Sequence, residues 1–533
     1  MIIFDFAVNL SKIHCAMSQE IGIFADILQT NKDKSLYMKS FFKSLFSAMC
    51  IVTMCVTVFS ACETKEKYDF VFKVPGQITS TFGAELVIPF VAKNITSISV
   101  ASQPKGWTIV GVDMVNWTIT VKAPTAFTSD DSSVEENGTL KLTGYTSIGT
   151  TVHATSYLSL LNQQIDLSQK YSNCYPIFQK DTRYIIDVTR KGESEERIKP
   201  DSVNVFWQSK RALVPYSSYD AENGKFTFFV GHDDVKNDDG EVVDTRMPQG
   251  NAVVAAYANG GEVVWSWHLW LTGSDIEAST IQTSAGEFMD RNLGAYHNGN
   301  GSTNADDLYH SIGVYYQWGR KDPMAGPKDY RFSKNEDIYV YNAYDTFLRW
   351  HYVDAEEDAK AGTEEYARNN PMTFVLGSKT NDYDWLYTSH NDALWSAEKK
   401  SLNDPCPRGW RVPAGNVFES FDIDEVEDMA ALGDVENMYG WHLVDRVTGV
   451  KMFMPGSGRR SFENGVITNV NNYGDEVTPK PWVGYYWTAG TAGAKAVSMF
   501  FDLNTTRAVN NRYEAKKEMY RANGMQVRCV RDK

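Results

Sequence analysis

Asp404-Pro405-Cys406-Pro407-Arg408-Gly409-Trp410-Arg411-Val412-Pro413 decides the fold, and Met525-Gln526-Val527-Arg528-Cys529-Val530-Arg531 answers it. Three prolines and a glycine keep the first segment from being a helix interior or a central strand. Trp410 and Val412 alternate with arginines, so a short strand with one buried face begins just after Cys406. In the second segment Met525, Val527 and Cys529 share one side, and Gln526, Arg528 and Val530 the other. Two strand-borne cysteines in an exported chain most simply pair. The bridge closes a loop of over a hundred residues, worth about 4–5 kcal/mol on the chain-entropy model. The span from Cys406 to Cys529 is therefore expected to lie in one domain.

Export is read from the beginning of the chain. The one long apolar run is Leu45 to Phe59, preceded by Lys39 and Lys43 and followed by Ser60-Ala61-Cys62. A basic n-region, an apolar stretch of this length and small residues at the cut describe a secretory signal peptide. It is too short for a comfortable transmembrane helix. Phe59-Ser60-Ala61-Cys62 resembles a bacterial lipobox, with Phe59 where leucine is usual; the resemblance implies that Cys62 is acylated and heads the mature chain. Met38 opens a leader of normal length, 38–61, and residues 1–37 read as an over-extended gene model without function. Glu63-Thr64-Lys65-Glu66 resembles the short charged tract that sends Bacteroidetes-type lipoproteins to the outer face of the outer membrane. Beyond residue 61 four cysteines remain, Cys62, Cys174, Cys406 and Cys529, so Cys174 is left over and is expected to be buried.

A chain of 533 residues holds two to four domains. Its formal charge of −15, with no basic block to offset it, argues against a nucleic-acid binder. The 14 Trp, 28 Tyr and 27 Phe suit strand-rich domains with aromatic loops better than a disordered chain. Residues 62–166 are expected to form an Ig-like antiparallel sandwich. Strands are expected at Ala84–Ala92, Ile95–Ala101, Trp107–Val112, Trp117–Val121, Thr139–Tyr145 and Thr151–Leu160, with turn residues between them. Trp107 and Trp117 are expected in its core.

Residues 167–275 read as a second sandwich, with strands at Arg183–Thr189, Val203–Trp207, Lys225–Val230, Ala252–Tyr257 and Glu262–Leu271. The acidic run Asp233 to Glu241 lacks the carboxylate spacing of a calcium loop and reads as a solvated hairpin tip. In Glu262–Leu271, Trp265, Trp267 and Leu269 share one face, and Ser266, His268 and Trp270 the other. Both faces are expected to be buried, with His268 a hydrogen-bonded core residue. The competing reading is a stacked-tryptophan sugar platform.

Residues 276–533 carry the blocks Asp290-Arg291-Asn292-Leu293-Gly294-Ala295, Tyr315-Tyr316-Gln317-Trp318-Gly319-Arg320-Lys321-Asp322-Pro323, the cysteine stretch, Gly456-Ser457-Gly458-Arg459-Arg460, Gly484-Tyr485-Tyr486-Trp487-Thr488-Ala489 and Val527-Arg528-Cys529-Val530. In this order they resemble the Fibrobacter succinogenes major paralogous domain, whose fold is similar to C-type-lectin-like domains. Trp265 to Trp270 resembles the module that often precedes it in fimbrillin-family lipoproteins of gut Bacteroidetes. The resemblance implies a mainly β chain with an α+β C-terminal part: two Ig-like sandwiches followed by a C-type-lectin-like domain. A helix is expected over Asp422–Leu432.

Catalysis lacks residues: there is no zinc-protease helix, nucleophile elbow or phosphate loop, and nine histidines are spread without metal-ligand spacing. The calcium–sugar motifs of C-type lectins are missing too. The expectation is a lipid-anchored surface binding protein with no cofactor, no metal and no catalytic residues. Its partners would be the outer membrane through Cys62, fimbrial subunits, and a glycan or protein ligand. A glycan-capturing lipoprotein of a polysaccharide-uptake system is the alternative, and an uncharacterised enzyme the third. Candidate ligand residues are Trp265, Trp267, Trp270, Trp318 and Arg320. For Arg291, Arg320 and Arg411 the stronger expectation is loop anchoring through carbonyls and carboxylates.

Overall fold

The computed structural model describes residues 69–81, 83–124, 135, 137–160, 163–300, 302, 304–326, 339–423, 440–468, 483–502 and 512–532. Cys62, the leader and the 1–37 extension lie outside the described residues. So does most of the helix expected at Asp422–Leu432; its first two residues belong instead to the strand Phe421–Ile423. The described chain is mainly β, and its α-helices are two six-residue segments, Ala305–His310 and Glu364–Asn369. Each is too short to persist alone and starts at a side-chain cap. Asn304 accepts from the Asp306 N–H at 2.8 Å, and Thr363 from the Tyr366 N–H at 3.1 Å.

The first sandwich has a four-stranded sheet ordered Gln77–Ser80, Thr151–Leu160, Asn137–Thr146, Ile95–Ser102. A three-stranded sheet ordered Glu85–Pro89, Thr118–Lys122, Thr108–Asp113 completes it. Alternation does the sorting, since Ile119, Val121, Leu140, Leu142 and Leu158 are buried while their neighbours along each strand are more exposed. Trp107 lies in the core, its indole N–H bonded to the Glu135 carbonyl at 3.0 Å. Trp117 does not: it ends a turn at φ +57°, is 38% exposed, and packs one side against Phe90.

The second sandwich sets the sheet Gln163–Asp166, Thr182–Asp187, Lys225–Val230, Tyr216–Asp220 against a larger one. The larger sheet runs Cys174–Ile177, Val263–Leu271, Gly250–Tyr257, Ser202–Gln208, and continues into Tyr339–Tyr341 and Phe347–Arg349. The boundary expected at 275/276 is therefore no break in the structure, because strands from both sides of it share one sheet. The reason is visible on Val263–Leu271. Trp265, Trp267, Leu269 and Leu271 fill the sandwich core with Tyr184, Phe226 and Phe228. Trp270, on the opposite face, joins Trp318, Trp395, Trp410 and Trp487 in the core of the C-terminal part.

The polar residues on that second face are all answered. Ser266 accepts from Lys321 Nζ and donates to Asp322 Oδ1, while Lys321 and Asp322 pair at 2.6 Å with both side chains buried. Asn251 donates its amide to the Gly294 carbonyl at 2.9 Å, so its oxygen faces His268 Nε2 at 2.9 Å. His268 is then the Nε2–H tautomer, and its Nδ1 accepts from the buried Cys174 thiol at 3.4 Å. Burial holds the imidazole pKa down at about 3.

The C-terminal part closes through the sheet Thr280–Thr283, Gly286–Met289, Val530–Arg531, Trp410–Arg411. Cys406 and Cys529 are bridged with Cα atoms 6.1 Å apart and 123 residues between them in sequence. Beside the bridge the Asp404 carboxylate accepts from the Cys406 and Val412 backbone N–H groups at 2.9 and 3.0 Å. Burial nonetheless raises its pKa to about 6. The acidic run of the second sandwich is a hairpin, Asp233–Lys236 with Val242–Arg246, and Asn237 Oδ1 organises its tip by accepting from the N–H groups of Asp239 and Glu241.

Three outcomes follow. Replacing Cys406 and Cys529 together by alanine lowers unfolding free energy by about 4–5 kcal/mol, read as a drop in the urea midpoint. Lys321→Ala strands the Asp322 charge in the core and costs about 3–5 kcal/mol, whereas Lys321→Met with Asp322→Leu recovers much of that loss. His268 titrates at about 3 folded and ~6.5 unfolded, so the unfolded chain binds the extra proton between those values. Its contribution to stability is full above pH ~6.5 and falls as pH drops toward 3, by at most ~1.4 kcal/mol per unit. Asp404 acts in the opposite sense between ~6 and ~3.9, and comparison with His268→Gln cancels it: the variant shows the weaker acid sensitivity.

Candidate functional site

The five residues expected to touch ligand are core residues. Trp265, Trp270 and Trp318 are 0% exposed, Trp267 1% and Arg320 3%. Their polar atoms are largely committed to the chain. The Trp270 indole donates to the Ala295 carbonyl at 2.9 Å and Trp318 to the Thr488 carbonyl at 2.9 Å. Arg320 donates to Gln317 Oε1 and the Thr373 carbonyl, each at 2.8 Å. Burial of both faces of Val263–Leu271 and loop anchoring by Arg320 are what the structure has, and the competing sugar platform has no surface to work from. Arg291 and Arg411 also anchor loops, Arg291 by a two-pronged pair with Asp290 and Arg411 through Asp532 and the Ala397 carbonyl. Among the described residues no three His, Cys, Asp or Glu converge as metal ligands would.

A different surface gathers the aromatic and polar groups a ligand needs. A cavity of about 240 Å³ lies where the extended sheet meets the loop 292–296 and the helix Ala305–His310. That is just below the range of small-molecule pockets and admits one ring-sized group. Lys210, Gln249, Asn251, Tyr296, Tyr309 and Trp207 are among its lining residues. Two glycines shape the wall. A Cβ on Gly313 would stand 2.4 Å from the Leu293 carbonyl oxygen, and one on Gly294 2.7 Å from the Val314 side chain, with φ at +80° and +81°. Tyr296 packs on His310 with ring centroids 4.8 Å apart, and burial lifts the tyrosine pKa to about 12 while lowering that of His310. Trp207, fully buried in the wall, has an indole N–H that meets no hydrogen-bond partner among the described residues.

Tyr339, which lines the cavity, also belongs to an outward aromatic face. Tyr339–Tyr341 pairs antiparallel with Phe347–Arg349, placing Tyr339 opposite Arg349 and Tyr341 opposite Phe347. Opposed residues share a face, so these four side chains stand together while Val340 and Leu348 turn inward to pack with Trp207 and Trp350. The Tyr339 and Phe347 rings lie 4.5 Å apart, and Tyr344 at the turn is 82% exposed. Arg349 stands over Phe347 at 5.4 Å, and Arg211 over Tyr341 at 5.2 Å. The hairpin is held to the second sandwich by Gln208, which donates to the Asn342 carbonyl and Asp345 Oδ1, and by the Ala212 N–H, which donates to the same oxygen.

Sequence reasoning missed this hairpin, although Tyr339-Val340-Tyr341 and Phe347-Leu348-Arg349 alternate in and out on either side of an Asn342-to-Thr346 turn. A second, more open cleft of about 670 Å³ lies between Tyr257–Val263 and the helix Glu364–Asn369. Its charges are mixed, with Glu262, Glu365 and Lys360 on the lining, and Asn369 Nδ2 bonds across it to Glu262 at 2.6 Å.

No family model and no curated protein matches the chain. Among solved structures it is similar to cadmium-bound SporoSAG, at 10% identity and a TM-score of 0.19, over 40% of this chain and 99% of that one. It is similar to the titin Ig tandem A164–A165 at 13% identity and a TM-score of 0.14, over 38% and 94%. For the tandem Ig repeats of Dlar the figures are 11%, 0.14, 38% and 96%. At these scores the sheet assignments rest on the strand pairings described above.

Gly313→Ala places a methyl against the Leu293 carbonyl and forces an L-residue into positive φ, so it costs about 2 kcal/mol or more and is read as a lowered Tm.

Proposed function

We propose that the protein is a lipid-anchored cell-surface binding protein that recognises a glycan at the Tyr339–Arg349 hairpin and the adjoining cavity. The observation that carries the reading is the outward face of Tyr339, Tyr341 and Phe347, of which Tyr339 also lines a cavity with polar groups on its wall. Sugar rings present apolar C–H faces that sit on aromatic rings, while their hydroxyls need donors and acceptors at the edge. Gln249 and Lys210 stand on the cavity lining, and the Trp207 N–H, without a partner among the described residues, is one donor a bound oxygen would answer. Acylation at Cys62, the fimbrillin-family relationship and placement outside the outer membrane belong to this proposal on the strength of the leader and motif blocks alone.

A fimbrial role has one observation of its own. Ile95–Ser102 is the outer strand of its sheet, eight residues long with neither charge nor proline, an edge able to accept another strand. Nutrient capture and adhesion use the hairpin in the same way and differ in what the glycan belongs to.

Because the second sandwich and the C-terminal part share a sheet, the test uses the whole mature chain. On a panel of glycans and matrix proteins the wild type retains at least one glycan. Tyr339→Ala and Phe347→Ala each weaken that binding about tenfold, equivalent to ~1.4 kcal/mol, with an unchanged Tm. A panel on which no glycan binds, or variants that bind like wild type, removes the proposal.

A further inference from the structure

We infer that the ligand is an anionic saccharide, whose carboxylate or sulfate ester is held by Arg211 and Arg349 while its ring lies on the aromatic face. The inference rests on the glycan reading above and adds the charge class. Both arginines are exposed, and neither has an ion-pair partner among the described residues. Several other cations in this part of the chain do have a carboxylate partner: Lys210 pairs with Asp233 at 2.9 Å, Lys225 with Asp187 at 2.9 Å, and Lys321 with Asp322 at 2.6 Å. Two guanidiniums without an ion pair among the described residues therefore lie against one aromatic face, Arg349 from the hairpin and Arg211 from beside it, in a chain with 67 acidic and 52 basic residues.

Among the described residues the hairpin carries one carboxylate, and it is already engaged: Asp345 Oδ1 accepts from Gln208 Nε2 at 3.0 Å and the Ala212 N–H at 2.9 Å. Each arginine lies against a ring, which limits its freedom before any ligand arrives and reduces the ordering cost of binding. A guanidinium presents paired N–H groups that match the two oxygens of a carboxylate or sulfate. A neutral sugar would leave that capacity unused.

The experiment titrates the purified mature chain calorimetrically with polygalacturonate, chondroitin sulfate and a neutral cello-oligosaccharide, at low and at 0.5 M salt. One or both anionic polymers bind and weaken sharply at high salt, and which of them binds separates carboxylate from sulfate. Arg211→Gln and Arg349→Gln each lower the affinity at least tenfold, and the pair together abolishes it. Arg408→Gln, an exposed arginine away from the hairpin, leaves binding unchanged and so excludes general polyanion attraction. Equal binding of neutral and anionic sugars, insensitive to both arginine variants but lost in Tyr339→Ala, overturns the charge class and leaves the glycan reading standing. Binding to none of the three sugars overturns the charge class, and a protein ligand emerging from the same panel overturns the glycan reading with it.

Discussion

One strand, Val263–Leu271, has no face left for water, and the rest of the larger assembly follows from that. A strand in an antiparallel sandwich ordinarily buries one side and wets the other. Here Trp265, Trp267 and Leu269 complete the sandwich, so Ser266, His268 and Trp270 need cover of their own. The C-terminal part provides it, with the Lys321–Asp322 pair for the serine and the Ala295 carbonyl for the Trp270 indole. The imidazole is answered from within the sandwich by Asn251 and Cys174. A buried ion pair contributes little net stability against an apolar substitute, but breaking it is expensive. Its effect is to permit one docking of the two parts. The sheet then extends past Ser202–Gln208 into the hairpin, which is how an aromatic face and a cavity come to share a rim.

Much of the fold was legible. Most strands that period-two alternation predicted fall within a residue or two of their place, because hydrophobic residues at every second position have few other solutions. Ala84–Ala92 instead divides into Glu85–Pro89 and Val91–Lys93, and the short strands Gln77–Ser80, Gln163–Asp166, Cys174–Ile177 and Tyr216–Asp220 escaped. Cys406 and Cys529 were readable because prolines confined the first to a strand start and alternation fixed the second. What escaped was whatever depends on distant partners. The domain boundary at 275/276 failed because a sheet does not announce from sequence that it will accept strands from seventy residues downstream. The helices Ala305–His310 and Glu364–Asn369 escaped because six residues give no helical period to detect, only a cap.

The platform reading, the weaker of the two for Trp265, Trp267 and Trp270, fails for a physical reason. Abundant tryptophan invited a platform reading, yet eleven of the fourteen tryptophans are among the most deeply buried side chains. An indole has one donor and no acceptor, so a single carbonyl satisfies it and the whole ring is free to be buried. Trp318, Trp385, Trp395 and Trp487 each do this within one core. Of the outward face, Tyr339 and Tyr341 carry a hydroxyl that both donates and accepts, which tolerates water at the ring's edge. Phe347 is wet because the hairpin turns it outward and directs its neighbour Leu348 inward.

The placement of Val530–Arg531 has a consequence for the order in which the molecule assembles. This strand lies between Gly286–Met289 and Trp410–Arg411, so the middle of that sheet is supplied some two hundred and forty residues after one neighbour and some hundred and twenty after the other. Until it emerges, Gly286–Met289 has only Thr280–Thr283 beside it, Trp410–Arg411 has no partner in this sheet, and the sulfur bridge lacks one of its atoms. Ribosomal synthesis therefore leaves this sheet without its middle strand until Val530 and Arg531 have been made.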